Sequence, residues 1–303
     1  VTAPALLGAE PLPLATPHAR SDRAPIEDFL RIARADRATM IAEMPPAEAL
    51  VLLTSWRLWA RPKQLAPPGN WQVWLNMSGR GYGKTRTGAE WCHEQAEHNP
   101  IGRGCLIGAT AGDARDIMIE GESGLLATAR PNFRPRYNPS RRQIEWPNGA
   151  LAKIFTAEEP ERLRGPQHGW GWGDEWCAFK YPQEAWDQAM FGLRLGARPQ
   201  LCVTTTPKPI KLLVDLLAEA IPCWELRHAP EGSEILARAI PTVVTTGSSY
   251  ENVANLSESW YNRTIKPYEG TRLGDQEIWA KLLKDVEGAL WTMALIELDR
   301  IKL

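Results

Sequence analysis

The sequence has no surplus of positive charge: 35 lysines and arginines stand against 36 aspartates and glutamates, a formal net charge of −1. A protein that grips a nucleic-acid backbone passively shows a clear basic excess, so any such contact must be local, transient or made by a small part of each subunit. The five cysteines (Cys92, Cys105, Cys177, Cys202, Cys223) include no C-x-x-C pair. That spacing argues against a zinc site or a disulfide framework and fits reduced thiols in a cytosolic setting. No run of about 18 apolar residues occurs, so no membrane span is expected. The N-terminal stretch lacks a basic start and is broken by Pro4, Pro11, Pro13 and Pro17, so it does not read as a signal peptide. What is present is ordinary for a folded chain, with 44% hydrophobic and 23% charged residues among 303, enough for one large or two modest domains. Tryptophan is the exception, with 14 copies. They predict a Trp-rich core, with exposed stacking surfaces as the alternative.

Residues 1–24 are rich in Pro and Ala without helical or strand period and read as a flexible or surface-draped arm. Helical patterns follow near 26–35 and 46–60, then a Pro-containing connector, 61–69. From Trp71 the pattern becomes strand, loop and helix (71–77, 78–84, 85–97). Further strands are expected at 104–109, 143–146, 151–155, 170–173, 200–204 and 242–246, and Asn148-Gly149 should join the second and third as a hairpin. Helices are expected near 111–120, 182–195, 210–220, 257–268 and 272–283. Strands alternating with helices over 70–220 predict an α/β fold with a mostly parallel central sheet covered on both faces. The expected division is an arm (1–24), an α/β core with its preceding helices (25–210), and a lid and linker region (211–303) that returns a core strand near 242–246.

Residues 78–85 read SGRGYGKT. The P-loop pattern is G-x-x-x-x-G-K-[ST]; Gly83, Lys84 and Thr85 fit it, while Ser78 replaces the first glycine. Gly79, Gly81 and Gly83 allow a tight loop whose N–H groups point at phosphate oxygens. Lys84 supplies a point charge to the terminal phosphates and the Thr85 hydroxyl a ligand for Mg²⁺. The helix starting there adds its positive dipole end. Ser78, Gly79, Arg80, Gly81, Tyr82, Gly83, Lys84 and Thr85 are thus the expected ATP-binding residues. Arg80 is either a solvated arginine or a cation beside the γ-phosphate of its own chain.

A P-loop alone fits a kinase, a GTPase or a motor, and the discriminator is an acidic residue at the end of a later strand. The segment GWGWGDEW places Asp174 and Glu175 there, although Gly171 and Gly173 make the strand weak. Asp174 would hold Mg²⁺ and Glu175 would act as general base on the attacking water. Next, LCVTTTPKP ends a strand in Thr204, Thr205 and Thr206, hydroxyls that either satisfy local backbone or couple the γ-phosphate state to the rest of the domain. The order of loop, acidic pair and Thr-rich strand end is that of an ATPase with an extra strand between loop and acidic strand.

With these motifs in place, the chain resembles the large subunit of a tailed-phage terminase, of the type also found in gene transfer agents. The likeness covers most of 50–303 and rests on WARPKQLAPPG, GRGYGKTRTGAEW, NPSRRQIEWPNGA, LRGPQHGWGWGDEW, FGLRLG, VTTTPKPI and EGALW. It implies a P-loop ATPase of the RecA-like class that uses ATP and Mg²⁺ to drive double-stranded DNA into a procapsid. Arg80 matches the arginine four residues before the P-loop lysine, and Arg164, before Gly165, matches a finger that reaches into a neighbour's nucleotide. Gln64 matches an adenine-reading glutamine. Implied partners are a portal protein, a small terminase subunit and copies of the chain itself, in a homo-oligomeric ring (a pentamer) during packaging and as monomers in isolation. The implied location is the cytoplasm of the bacterial host, with no membrane association. Basic residues around the hairpin, Arg134, Arg136, Arg141, Arg142 and Lys153, are candidate DNA contacts; a solvated basic face is the alternative. The family continues into an RNase H-like nuclease with a cluster of metal-binding acids. The acids near Leu303 (Asp285, Glu287, Glu297, Asp299) are scattered, so nuclease activity is not expected of this chain. Two other enzymes fit the motifs less well. A helicase-like ATPase would need a second sheet domain from the 97 residues after Thr206, and a P-loop kinase would have no use for Arg164. A scaffold that keeps nucleotide only for stability is the non-enzymatic alternative.

Overall fold

The computed structural model describes Ile32 and residues 34–283. The arm at 1–24, nearly all of the helix expected at 26–35, and the acids from Asp285 onward lie outside the described residues.

Among the described residues nine strands form one sheet: β1 (Asn70–Ser78), β2 (Arg103–Gly108), β3 (Arg136–Asn138), β4 (Gln143–Glu145), β5 (Leu151–Thr156), β6 (Trp170–Asp174), β7 (Gln200–Thr205), β8 (Ile221–Pro222) and β9 (Ala239–Gly247). Their order is β3-β4-β5-β2-β6-β7-β1-β9-β8. All neighbours run parallel except β3 with β4 and β4 with β5. The central strands are apolar on both faces, as a parallel sheet between two helical layers requires. On one face Trp74, Trp91, Trp170 and Trp172 pack with Leu106 and Val243; on the other Val73, Leu75, Ile107, Trp176, Leu201 and Val203 do so. The tryptophans are chiefly core. Trp71, Trp91, Trp170 and Trp146 form a run of ring contacts with successive centroids 6.4, 6.3 and 5.7 Å apart. Trp146 donates its indole N–H to His93 Nδ1 at 3.0 Å, and burial holds that imidazole neutral by pushing its pKa down to about 4. Among the described residues, Trp224 and Trp279 are the exposed exceptions.

Asn148-Gly149 closes the β4–β5 hairpin as expected, with Gly149 at φ 84°. Strand β7 lies between β1 and β6, which is the extra strand that the motif order implies. β9 returns beside β1, in register from Asn70↔Ala239 to Ser78↔Gly247. β3 was not expected, because three residues bounded by prolines carry no strand period. The expected helix at 46–60 divides: Pro46–Thr54 ends where the Thr54 hydroxyl turns back on the Leu50 carbonyl and Ser55 becomes extended. The one expected at 257–268 is three short turns, Glu258–Trp260, Tyr261–Ile265 and Lys266–Tyr268, the last of which holds Pro267, which has no N–H to give a continuous helix. The last helix stops at Glu277 rather than 283 because the Glu277 and Ile278 carbonyls accept from Arg80 and Ser249.

Helix α1 (Lys84–His98) follows β1 and lies on β6 and β7. Its approach is close: a Cβ on Gly88 would stand 2.1 Å from Trp172 Cε2. Gly88→Ala is therefore expected to force the helix and sheet apart, at a cost of about 1–3 kcal/mol in denaturant unfolding. A change below about 0.5 kcal/mol would show that this contact yields freely.

Candidate nucleotide site

Ser78 ends β1 with its side chain buried, its hydroxyl donating to Asn76 Oδ1 at 3.2 Å. The loop then leaves the sheet and enters α1 at Gly83, whose φ of 100° lies in the left-handed region that glycine adopts without strain. Two carbonyls on this loop are held from outside. Asn252 Nδ2 donates to the Gly81 carbonyl at 2.6 Å, and the Arg61 guanidinium donates to that of Tyr82. Arg61 also lies 4.6 Å over the Tyr82 ring and donates to Asn252 Oδ1. With these carbonyls drawn outward, the amides of Gly81 and Gly83 donate to no described group. The first-turn amides of α1 lack intrahelical partners as at any helix start, so the loop presents an anion-binding concavity. Tyr82 is buried and its ring packs on Gly247, so it anchors the loop from beneath.

The acidic pair faces this loop. Lys84 Nζ lies 3.2 Å from the Gly79 carbonyl and 3.4 Å from Glu175 Oε1. The Thr85 hydroxyl donates to Asp174 Oδ2 at 3.1 Å. Asp174 is buried at the end of β6 and also accepts from Thr204 at 2.6 Å; Thr204 in turn accepts from the Trp172 indole N–H at 2.8 Å. Burial, then the Glu175 charge, pushes the Asp174 carboxyl up to about 6 against the downward pull of Thr204, Lys84 and Thr85. Glu175 itself sits at φ 55°, a left-handed conformation costly for a non-glycine residue. That turn sends its carboxylate into the open, 44% exposed, where Oε2 accepts from the Thr206 amide at 3.1 Å. Thr205 accepts from the Cys177 amide and donates to the Thr206 carbonyl, so the end of β7 is tied to the acidic turn at three successive residues.

The other expected residues lie at varied distances from this centre. Gln64 is buried beside Gly83, its amide donating to Thr87 and its Oε1 accepting from the Arg61 amide. Arg80 turns outward to Glu277, 2.5 Å away, with its guanidinium largely exposed. Arg164 stands apart on the exposed loop between β5 and β6, 3.8 Å from Glu161 and on the wall of a 410 Å³ cavity that Phe191 and Arg194 also line. Arg141 and Arg142 are exposed on the turn between β3 and β4, and Lys153 is exposed on β5, with Arg142 3.9 Å from Glu159. Arg61, Asn252, Trp172 and Glu277 were missed. Only Arg61 had a visible signal, its place in WARPKQ.

Among the described residues no three His, Cys, Asp or Glu side chains cluster as a metal site. Thr85 and Asp174 fit Mg²⁺ instead, which takes few protein oxygens and completes its shell with phosphate and water.

A strand between the loop strand and the acidic strand, with Lys84 and Thr85 facing Asp174 and Glu175, defines a P-loop nucleoside-triphosphatase fold of the RecA-like class. Within that class, the sequence profile of the N-terminal part of the T4-like-virus type of terminase large subunit matches residues 75–298, so the chain belongs to the terminase large-subunit family. The Thermus phage P74-26 large terminase ATPase domain superimposes with a TM-score of 0.50 at 14% identity, covering 70% of this chain and 88% of that one. The large terminase of another thermophilic bacteriophage, in complex with ADP, gives 0.53 at 14% identity. That match covers 77% of this chain but only 52% of the other, so the chain spans about half the length of that second terminase. No curated protein matches the sequence.

The raised Asp174 pKa has a consequence for stability. The folded state binds a proton more readily than the unfolded state between the usual carboxylate value and about 6, so this group's contribution becomes unfavourable as pH rises through that window. In nucleotide-free protein, Asp174→Asn should raise the unfolding midpoint at pH 8 and have little effect at pH 4. The ceiling at pH 8 is about 3 kcal/mol, at roughly 1.4 kcal/mol per pH unit. A stabilisation that is equal at both pH values would contradict the assignment.

Proposed function

We propose that this chain is the ATP-hydrolysing motor domain of a terminase large subunit, moving double-stranded DNA into a procapsid. The observation that carries it is the convergence of Lys84 and Thr85 with Asp174 and Glu175 across β7. The large terminase of the second thermophilic bacteriophage, described with ADP and with ATP-gamma-S, supports adenine nucleotide as the ligand.

The loop amides and Lys84 bind the terminal phosphates, and Tyr82, Ser78 and Gly79 fix the loop from the sheet side. Thr85 and Asp174 hold Mg²⁺, which when bound neutralises charge on the phosphate oxygens. Glu175, exposed and aimed away from the strand, orients water and takes its proton. The Thr206 amide on the other Glu175 oxygen, with Thr204 on Asp174 and Thr205 on the acidic turn, makes β7 the strand that registers a change at the carboxylates. Arg80 lies on the loop itself and can exchange Glu277 for a phosphate. Gln64 reads the nucleotide from beside Gly83. Arg164, exposed and remote from its own loop, serves a neighbouring copy in a ring, a pentamer during packaging. A small lid is built largely from residues after about 210, apart from β8 and β9, which belong to the sheet. A portal protein and a small terminase subunit are the further partners, in the host cytoplasm. Among the described residues no helix is long and apolar enough to cross a membrane.

The test is ATP turnover as a function of protein concentration. The unaltered chain should show a steep rise in specific rate. Arg164→Ala should lose that rise, and Glu175→Gln should lose about 10²–10⁴-fold in turnover while still binding ATP. Unchanged turnover in Glu175→Gln would remove the general-base role, and a flat specific rate in both other proteins would remove catalysis across subunits.

A further inference from the structure

The basic residues around the hairpin are not equivalent. Arg136 faces Glu145 and Arg142 faces Glu159, each at 3.9 Å. Arg103, Arg141 and Lys153 make no ion pair among the described residues, and all three line one cavity of about 290 Å³. Arg103 and His168 bring to it the starts of β2 and β6, at the end of the sheet away from Asp174. Gln143 and Gln167 complete its polar wall, and no carboxylate lines it. His168 is only 2% exposed, its ring edge-on to Phe155 at 5.6 Å. Neither ring nitrogen has a partner in hydrogen-bonding geometry, although the Gly104 carbonyl is near enough to favour the charged ring slightly. Burial outweighs that and pushes the imidazole down to about 4, so the ring is neutral. A buried polar group without a partner costs about 1–3 kcal/mol. Such a group on the wall of a cavity is accounted for by a ligand that completes it.

The cavity therefore offers two guanidinium groups, an ammonium, side-chain amides and an imidazole, which are donors and positive charge suited to a tetrahedral oxyanion. Its wall contains no Phe, Tyr or Trp ring on which a base could stack, and its one imidazole is buried edge-on against Phe155, so it would recognise phosphate rather than sequence. Arg134 and Arg136, just before and at the start of β3, are exposed as well. We propose that this cavity is a seat for one backbone phosphate of duplex DNA, with Arg103, Arg141 and Lys153 as its cations. The proposal rests on the motor reading for the identity of the polymer. It also adds a physical link: Pro166 lines both this cavity and the one beside Arg164, so a seated phosphate packs against the loop that carries the arginine finger.

The test is binding of a short DNA duplex to the full chain across a salt series, read by fluorescence anisotropy. The Arg141→Ala/Lys153→Ala double variant should bind several-fold more weakly, with the slope of log affinity against log salt reduced by about 1, the loss of one phosphate contact. Lys211→Ala, which removes a positive charge on a distant helix, should keep the slope. Two results would overturn the proposal: an unreduced slope in the double variant, or no salt-dependent duplex binding by the unaltered chain. A third would also do so: inorganic phosphate raising the melting temperature of the unaltered chain but not of the double variant, while duplex binding is the same in both, which would assign a free-anion site. ATP turnover of the unaltered chain without DNA is read in the same preparation. Turnover present with an unreduced slope removes only the phosphate seat; turnover absent with a reduced slope removes the motor reading and leaves the seat in place.

Discussion

The arrangement depends on one electrostatic constraint, the placing of a buried carboxylate and an exposed one opposite a lysine at the mouth of a helix. Asp174 and Glu175 are consecutive, and two like charges this close oppose each other's ionisation. The fold relieves the conflict by separating their environments. Asp174 is sunk into the strand end, where Thr85 and Thr204 donate to it. The left-handed turn at Glu175 carries the second carboxylate outward to Lys84 and the Thr206 amide. The pair thus becomes two groups with different capacities, one suited to a hard cation and one to a water molecule.

The same constraint explains why so much tryptophan and glycine sit around β6. A Cβ on Gly173 would meet the Trp176 ring at 2.3 Å, and that ring covers the start of the acidic turn. Trp172 points to the opposite face, fits against Gly88 of α1 and supplies the indole N–H that orients Thr204 toward Asp174. The large aromatic faces give burial and the small residues give clearance, so helix and sheet meet closely enough for Thr85 to reach Asp174. A chain of packing contacts therefore sets the geometry of a polar site, and the weak look of GWGWGDEW as a strand is the cost of that fit.

Much of this was legible in the sequence. The P-loop, the acidic pair and the threonines announce themselves because their chemistry is local: each is a short run of residue types with few other uses at that spacing. The alternating strands and helices, the hairpin turn at Asn148-Gly149 and the inserted strand followed from periodicity and motif order. What escaped notice acts over distance. Arg61 and Asn252 hold the loop carbonyls from positions 21 and 171 residues away, and Glu277 reaches Arg80 across 197. No local pattern marks such partners. The basic hairpin shows the same limit, since sequence could not distinguish cations that face glutamates from those that share a cavity with His168. Helix ends failed for a related reason: the last one stops where its carbonyls are taken by the P-loop and its neighbour.

The most direct test of the central claim is calorimetric titration of MgATP into the unaltered chain and into Lys84→Ala. Binding should need both Lys84 and Mg²⁺, with affinity lost in the variant and sharply weakened when the metal is chelated. Equal affinity in both proteins, or binding indifferent to the metal, would mean that the nucleotide does not lie between this loop and these carboxylates.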